Sequence, residues 1–170
     1  MTHTSLPSWA QLPWLGFDTE TTGVNPHTDR LVTAALVLRE GGAAAATGSD
    51  VITTWLADPE VDIPDSAAQI HGITTQTART QGRPIREVLE ELAASLASHM
   101  GHGYPVVAFN GSFDFTLLEE ELRRHGLLTL AERLGLSEPA PIIDPLVLDR
   151  HLERFRKGKK QLSLMAAAYG

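Results

Sequence analysis

Two carboxylates with one residue between them, Asp18 and Glu20, close an apolar run in the segment WLGFDTETTG at 14–23. The stretch from Trp14 to Phe17 is bulky and aromatic, which suits a strand. Side chains alternate faces along a strand, so Asp18 and Glu20 point the same way and Thr19 the other. Their Cα atoms then stand roughly 6–7 Å apart. Like charges at that range repel, and a divalent cation removes the conflict. Hard ions such as Mg²⁺ prefer carboxylate oxygens, and paired metals about 3.5–4 Å apart fit the span. In a chain with 21 acidic residues a D-x-E triplet also arises by chance. What points to a site is its place at the end of an apolar strand, before a Thr-Thr-Gly turn.

A third acid follows a second strand. YPVVAF (104–109) reads as a buried strand and runs into NGSFDFTLLEEEL (110–122). Asn110 or Ser112 suits the N-cap of a helix, and Asp114 falls in its first turn. Asp114 has two readings. An early acid favours the helix dipole and needs no further role; strand-to-helix junctions at a sheet end are also where sites are assembled. If strands 14–19 and 104–109 are neighbours, Asp114 faces Asp18 and Glu20, and three carboxylates converge from separate parts of the chain.

The elements that would position these residues follow from periodicity. RLVTAALVLRE (30–40) and VITTWLAD (51–58) read as strands. The small, turn-rich GGAAAATGSD between them reads as a hairpin connection, so the first three strands form an antiparallel meander. From Pro64 to Gly82 the chain is polar, with short helical pieces around HGIT (71–74). Pro84 opens a helix on which Ile85, Val88, Leu89, Leu92 and Leu96 keep helical spacing, and Gly101 ends it. Phe115, Leu118 and Leu122 line one face of the next helix, which ends near Gly126. PIID (141–144) is a short strand entering another helix, and a last helix begins near Gln161. Strands first, then helix and strand in alternation, predict a mixed α/β sheet flanked by helices.

Composition narrows the class. The 170 residues suit one domain with a substantial core, and the hydrophobic content of 42% speaks against wholesale disorder. The chain has no cysteine, which excludes disulfides, thiolate metal sites and cysteine nucleophiles, and is compatible with a reducing cytoplasm. No basic-then-apolar leader and no run long enough to span a bilayer is visible. The net charge of −7 is unlike that of a simple nucleic-acid coat protein. The positive charge is uneven: DRHLERFRKGKK at 149–160 holds Arg150, Arg154, Arg156, Lys157, Lys159 and Lys160. This run reads either as a solvated surface or as a phosphate-contacting arm.

Four segments in order resemble one family. FDTETTG (17–23) looks like the first motif of the DnaQ-like, DEDD-type 3′–5′ exonucleases. NGSFD (110–114) is similar to their second, N-x-x-F-D. IHGIT (70–74) resembles a segment near the substrate terminus, and IIDPL (142–146) resembles a later acid-bearing strand end. The resemblance covers nearly the whole chain. It implies a ribonuclease H-like α/β fold, a mixed five-stranded sheet with helices on both faces. It implies two Mg²⁺ or Mn²⁺ ions held by Asp18, Glu20 and Asp114 as the catalytic set. It places Thr21, His71, Asn110 and Phe113 along the terminal nucleotide and Asp144 behind the metal ligands. The implied reaction releases nucleoside 5′-monophosphates from the 3′ end of single-stranded DNA, with a DNA polymerase as a partner and a proofreading or repair role. RNA trimming by the same superfamily and a non-catalytic nucleic-acid or polymerase-binding module are the alternatives.

The family's third motif, H-x4-D or Y-x3-D, does not occur. None of the 7 histidines has Asp five positions on, Tyr104 is followed four residues later by Ala108, and Tyr169 precedes only Gly170. QLSLMAAAYG (161–170) resembles the helix that precedes this motif. The expectation is therefore a single exonuclease domain over 1–170 that lacks its C-terminal helix, its fourth metal ligand and its general base.

Overall fold

The computed structural model describes residues 9–42, 50–153 and 161–169. Most of the small-residue connection (43–49) and the basic residues from Arg154 to Lys160 lie outside the described residues.

Strands β1 (Trp14–Thr21), β2 (Leu31–Arg39) and β3 (Val51–Asp58) form the expected antiparallel meander, with Phe17 opposite Leu36 and Ala34 opposite Trp55. Strand β5 (Val106–Val107) lies parallel to the other side of β1, and β6 (Ile142–Ile143) parallel to β5. Both are shorter than their apolar runs, because the following residues leave the ladder to start helices. The order across the sheet is β4-β3-β2-β1-β5-β6. This gives six strands among the described residues where five are expected. The sixth is β4 (Arg83–Pro84), paired parallel to β3 through Ala57 and Asp58. Two residues carry no periodicity, and proline is tolerated in a strand only at an edge; Pro84 is both edge-strand residue and N-cap of the next helix.

Helices cover both faces. On one side α3 (Ile85–Gly101) and α4 (Gly111–Arg124) bury Val88, Leu89, Leu92, Leu96, Leu118 and Leu122 against Leu15, Phe17, Leu36 and Trp55. A fully buried leucine contributes about 1.5–3 kcal/mol, so α3 is fixed by its apolar stripe rather than by its propensities. On the other side α1 (Asp65–His71) and α2 (Thr75–Gln81) pack Ala67 and Ala78 with Val32, Ile63 and Leu56. The HGIT segment is the junction of these two helices, with Gly72 in the left-handed region as the C-cap of α1. Helices α5 (Leu130–Leu134), α6 (Pro145–Leu152) and α7 (Leu162–Tyr169) complete the described elements. No described helix is long and apolar enough to cross a membrane.

One consequence of this topology positions the site. β1 is central, and β1, β5 and β6 run parallel, so their C-terminal ends meet at one pole of the sheet. Asp18 to Thr21 form the C-terminal half of β1, and Asn110 to Asp114 and Asp144 follow the ends of β5 and β6. Ligands of open α/β sheets bind at the carboxyl ends of parallel strands.

Candidate active site

Alternation along β1 divides its residues as expected. Leu15, Phe17 and Thr21 are buried, Thr19 half-buried on the same face, and Asp18 is exposed on the other. The ladder is interrupted by a bulge between Glu20 and Thr21, which shifts the pairing from Thr33 to Leu31. Bulges re-aim side chains and are common beside active sites.

The turn after the bulge is tied back to the sheet. Thr21 Oγ1 donates to the Gly23 carbonyl at 2.5 Å, and Thr22 Oγ1 donates to Asp29 Oδ1 at 2.9 Å. Asp29 Oδ2 also accepts from Asn25 N at 2.8 Å. A Cβ on residue 23 would stand 2.6 Å from the Asp29 carboxylate, so the glycine of the Thr-Thr-Gly turn is needed for the closure of this loop.

Asp114 lies in the first turn of α4 and is only 5% exposed. Phe115, one residue on, meets Phe17 edge-to-face with ring centroids 5.3 Å apart, which sets the helix against β1. Thr19 Oγ1 then donates to Asp114 Oδ1 at 2.6 Å. Burial is the main reason that the Asp114 carboxyl is pushed up to about 6; the Thr19 hydroxyl bond works against it, and the charge of Asp18 adds to it. Asp18 is solvent-exposed over much of its surface, yet partial desolvation by the surrounding protein also raises its carboxyl, partly offset by the Thr19 N–H. Among the described residues, no arginine or lysine figures among these influences. The structure thus places Asp114 within electrostatic reach of Asp18, bonded to the residue that follows Asp18 on β1, with Glu20 two residues along the strand.

Three of the residues expected along the terminal nucleotide, Thr21, His71 and Phe113, meet in a neighbouring cleft of about 410 Å³, lined also by Glu20, Val24 and Ile70 among others. Val24 and Ile70 are 92% and 82% exposed, so the rim is apolar and bare. His71 Nδ1 accepts from the Ile73 amide at 3.1 Å. A neutral His71 therefore carries its proton on Nε2, which is buried without a hydrogen-bond partner. Asp18, Asn110 and Asp114 are not among the residues lining this cleft. Asn110 sits exposed at the N-cap of α4 in the left-handed region (φ 59°), and its side chain makes no capping bond.

The residues fit a cation in chemistry: three hard oxygen donors, two of them a repelling pair. As placed, no group of three or more His, Asp or Glu among the described residues is close enough to enclose one. Larger clefts occur elsewhere, one of about 700 Å³ between Leu36, Trp55, His99 and Tyr104, in which Glu40 is the one acidic residue among the described lining.

Sequence reasoning passed over Thr19, whose side chain points away from the two acids it separates. It also passed over Glu121, inside a run of three glutamates that reads as a solvated face. Glu121 is fully buried and accepts from Arg30 Nε at 2.8 Å, with Arg124 as a second partner. That pair ties α4 to the last residue of the β1–β2 loop. A long-range partner such as Arg30, 91 positions away, leaves no local signal.

Comparison with known proteins places this geometry. The RNase_T family, described as "Exonuclease", matches residues 15–170. A DNA polymerase III PolC-type of Thermotoga maritima is 29% identical over 141 residues, covering 82% of this chain and 9% of the relative. Its counterpart in Thermotoga petrophila is 27% identical over 151 residues, covering 88% and 10%. The chain spans about a tenth of the length of these relatives. Among solved structures, the zinc-bound complex of E. coli ExoI with single-stranded DNA superposes with a TM-score of 0.69 at 19% identity, over 86% of this chain and 30% of that one. E. coli exonuclease I with a dT13 oligonucleotide gives 0.67 at 18%, over 90% and 33%. At these identities the likeness is one of fold.

Proposed function

The chain belongs to the RNase_T exonuclease family, of the DnaQ-like type, and from that premise we propose that it forms a metal-dependent site that removes nucleotides from the 3′ end of single-stranded DNA as 5′-monophosphates. The observation that carries the proposal is the bond from Thr19, between Asp18 and Glu20 on the central strand, to the buried carboxylate of Asp114, which gathers acids from two separate parts of the chain at one strand end. Acids so placed repel a phosphodiester unless a cation lies between them. The structural likeness to a nuclease–DNA complex supports the choice of substrate, and the PolC-type relatives support a replicative setting with a DNA polymerase as neighbour.

Asp18, Glu20 and Asp114 would hold two divalent ions, Mg²⁺ or Mn²⁺. Such ions supply an activated water and stabilise the leaving 3′ oxygen. The protein's own residues do the rest. Phe113, Val24 and Ile70 offer apolar surface to the terminal base, and stacking of this kind is worth about 1–3 kcal/mol per base. The Nε2–H of His71 donates to an oxygen of the terminal nucleotide, which satisfies an otherwise unpaired buried donor. Asn110 stands at the head of α4, whose N-terminus favours an anion.

The 170 residues contain neither H-x4-D nor Y-x3-D. A general base is typically worth 10²–10⁴ in rate, so turnover by these residues alone is expected to be slow by about that factor. The test uses a single-stranded oligonucleotide labelled at its 5′ end, with Mn²⁺. Shortening from the 3′ end that stops in EDTA and in Asp18→Asn supports the proposal. Shortening that persists in EDTA, or that runs from the 5′ end, contradicts it.

A further inference from the structure

Asp114 is held from two directions by residues outside the ligand set, Thr19, which also lines the edge of the cleft, and Asp144, which does not. On the strand side the hold is the 2.6 Å bond from Thr19 Oγ1 to Asp114 Oδ1. It joins the residue between Asp18 and Glu20 to the helix across 95 positions of sequence. It occupies one oxygen of Asp114 and restrains the plane of the carboxylate.

On the helix side the hold is Asp144. The N-cap residue Asn110 gives no side-chain bond to its own helix. Asp144 supplies the acceptors instead: Oδ1 accepts from Asn110 N at 3.0 Å, and Oδ2 from Gly111 N at 3.0 Å. The same Oδ1 accepts from Leu146 N at 2.8 Å and so caps α6 as well. One carboxylate therefore closes the N-termini of two helices that leave adjacent parallel strands. Backbone approach at this point is tight, since a Cβ on residue 111 would stand 2.8 Å from Ala108 Cβ. A helix start without such partners leaves its first N–H groups unsatisfied. Here the first turn carries Asp114, so its position depends on Asp144.

We propose that Thr19 and Asp144 are positioning residues that clamp Asp114 beside Asp18, one by the carboxylate and the other by the helix start. The role rests on the reading of Asp18 and Asp114 as cation ligands. Ligand geometry must be held within a fraction of an ångström, and loss of a partner that orients a ligand typically costs 10–100-fold in metal affinity.

The test is a Mn²⁺ titration of the whole chain followed by electron paramagnetic resonance, together with amide hydrogen exchange of the metal-free protein. Thr19→Val keeps the branched shape and removes the donor; Thr19→Ser keeps the donor. Thr19→Val is expected to weaken Mn²⁺ binding about tenfold or more, and Thr19→Ser to stay near the parent. Asp144→Asn is expected to weaken it similarly and to speed exchange at Asn110 and Gly111 while the amides of α3 keep their rates. Asp18→Asn is the reference. Parental affinity in Thr19→Val and Asp144→Asn, with weakened binding in Asp18→Asn, overturns the clamp and leaves the ligand reading intact. Equal losses in Thr19→Val and Thr19→Ser overturn it too, since the hydroxyl is then irrelevant. Parental affinity in Asp18→Asn overturns the ligand reading and the clamp with it. Should Asp144→Asn fail to fold, the Thr19 pair decides.

Discussion

The carboxyl of Asp114 is enclosed by protein, with Asp18 as a like charge nearby, and keeps its proton up to a pH of about 6. In the unfolded chain the same group ionises near 3.8. Between these values the folded state binds more protons than the unfolded one, so stability falls as pH rises. The expected loss for the metal-free protein, concentrated between about pH 4 and pH 6, is at most about 3 kcal/mol from a shift of this size. Urea unfolding across that range should show the decline, and Asp114→Asn should remove it; an unchanged slope in the variant would assign the effect elsewhere. Glu121 gives a second expectation. Its removal leaves Arg30, with a side chain only 13% exposed, without its anion. Breaking a buried pair from one side typically costs about 3–5 kcal/mol, and Glu121→Ala should lose a stability of this order by denaturant titration. Asp18, Glu20 and Asp114 stand out in the sequence because spacing and motif order mark them, and their role as ligands is a proposal. Thr19 and Glu121 do not stand out, because what gives each its role is a partner more than ninety positions away.

Among the elements, those with long apolar periodicity read most clearly. Helix α3 begins and ends where Pro84 and Gly101 place it, and the leucine stripe is fully buried. Leu92→Ala should therefore cost about 2–5 kcal/mol, read as a lowered urea midpoint with an unchanged slope. A loss below about 1 kcal/mol would mean that the stripe does not carry the packing attributed to it. The short parallel strands read less well. YPVVAF suggests six strand residues, but only Val106 and Val107 pair within the sheet, because Asn110 must turn into the left-handed region to start α4. Strand β4 left no pattern at all. The bulge after Glu20 has no sequence signal either: it is set by the pairing of Thr21 with Leu31 and the loop closed by Asp29.

For the whole molecule, the order of strands decides where function gathers. A central β1 with parallel β5 and β6 on one side places three acid-bearing strand ends at one pole. With a net charge of −7, and an acidic pair at that pole, the metal-free protein stores repulsion that a cation relieves. Any ligand that binds only the folded state stabilises it, by about 2.7 kcal/mol at a concentration 100 times its Kd, so Mn²⁺ should raise the melting temperature. The measurement that bears most directly on the account is calorimetric titration of Mn²⁺ into the parent chain, Asp18→Asn and Asp114→Asn at neutral pH. Each substitution removes a charged oxygen donor, so each should weaken binding about tenfold or more while the fold persists. Unchanged affinity in both variants would contradict the assignment of the acidic pair as the metal site.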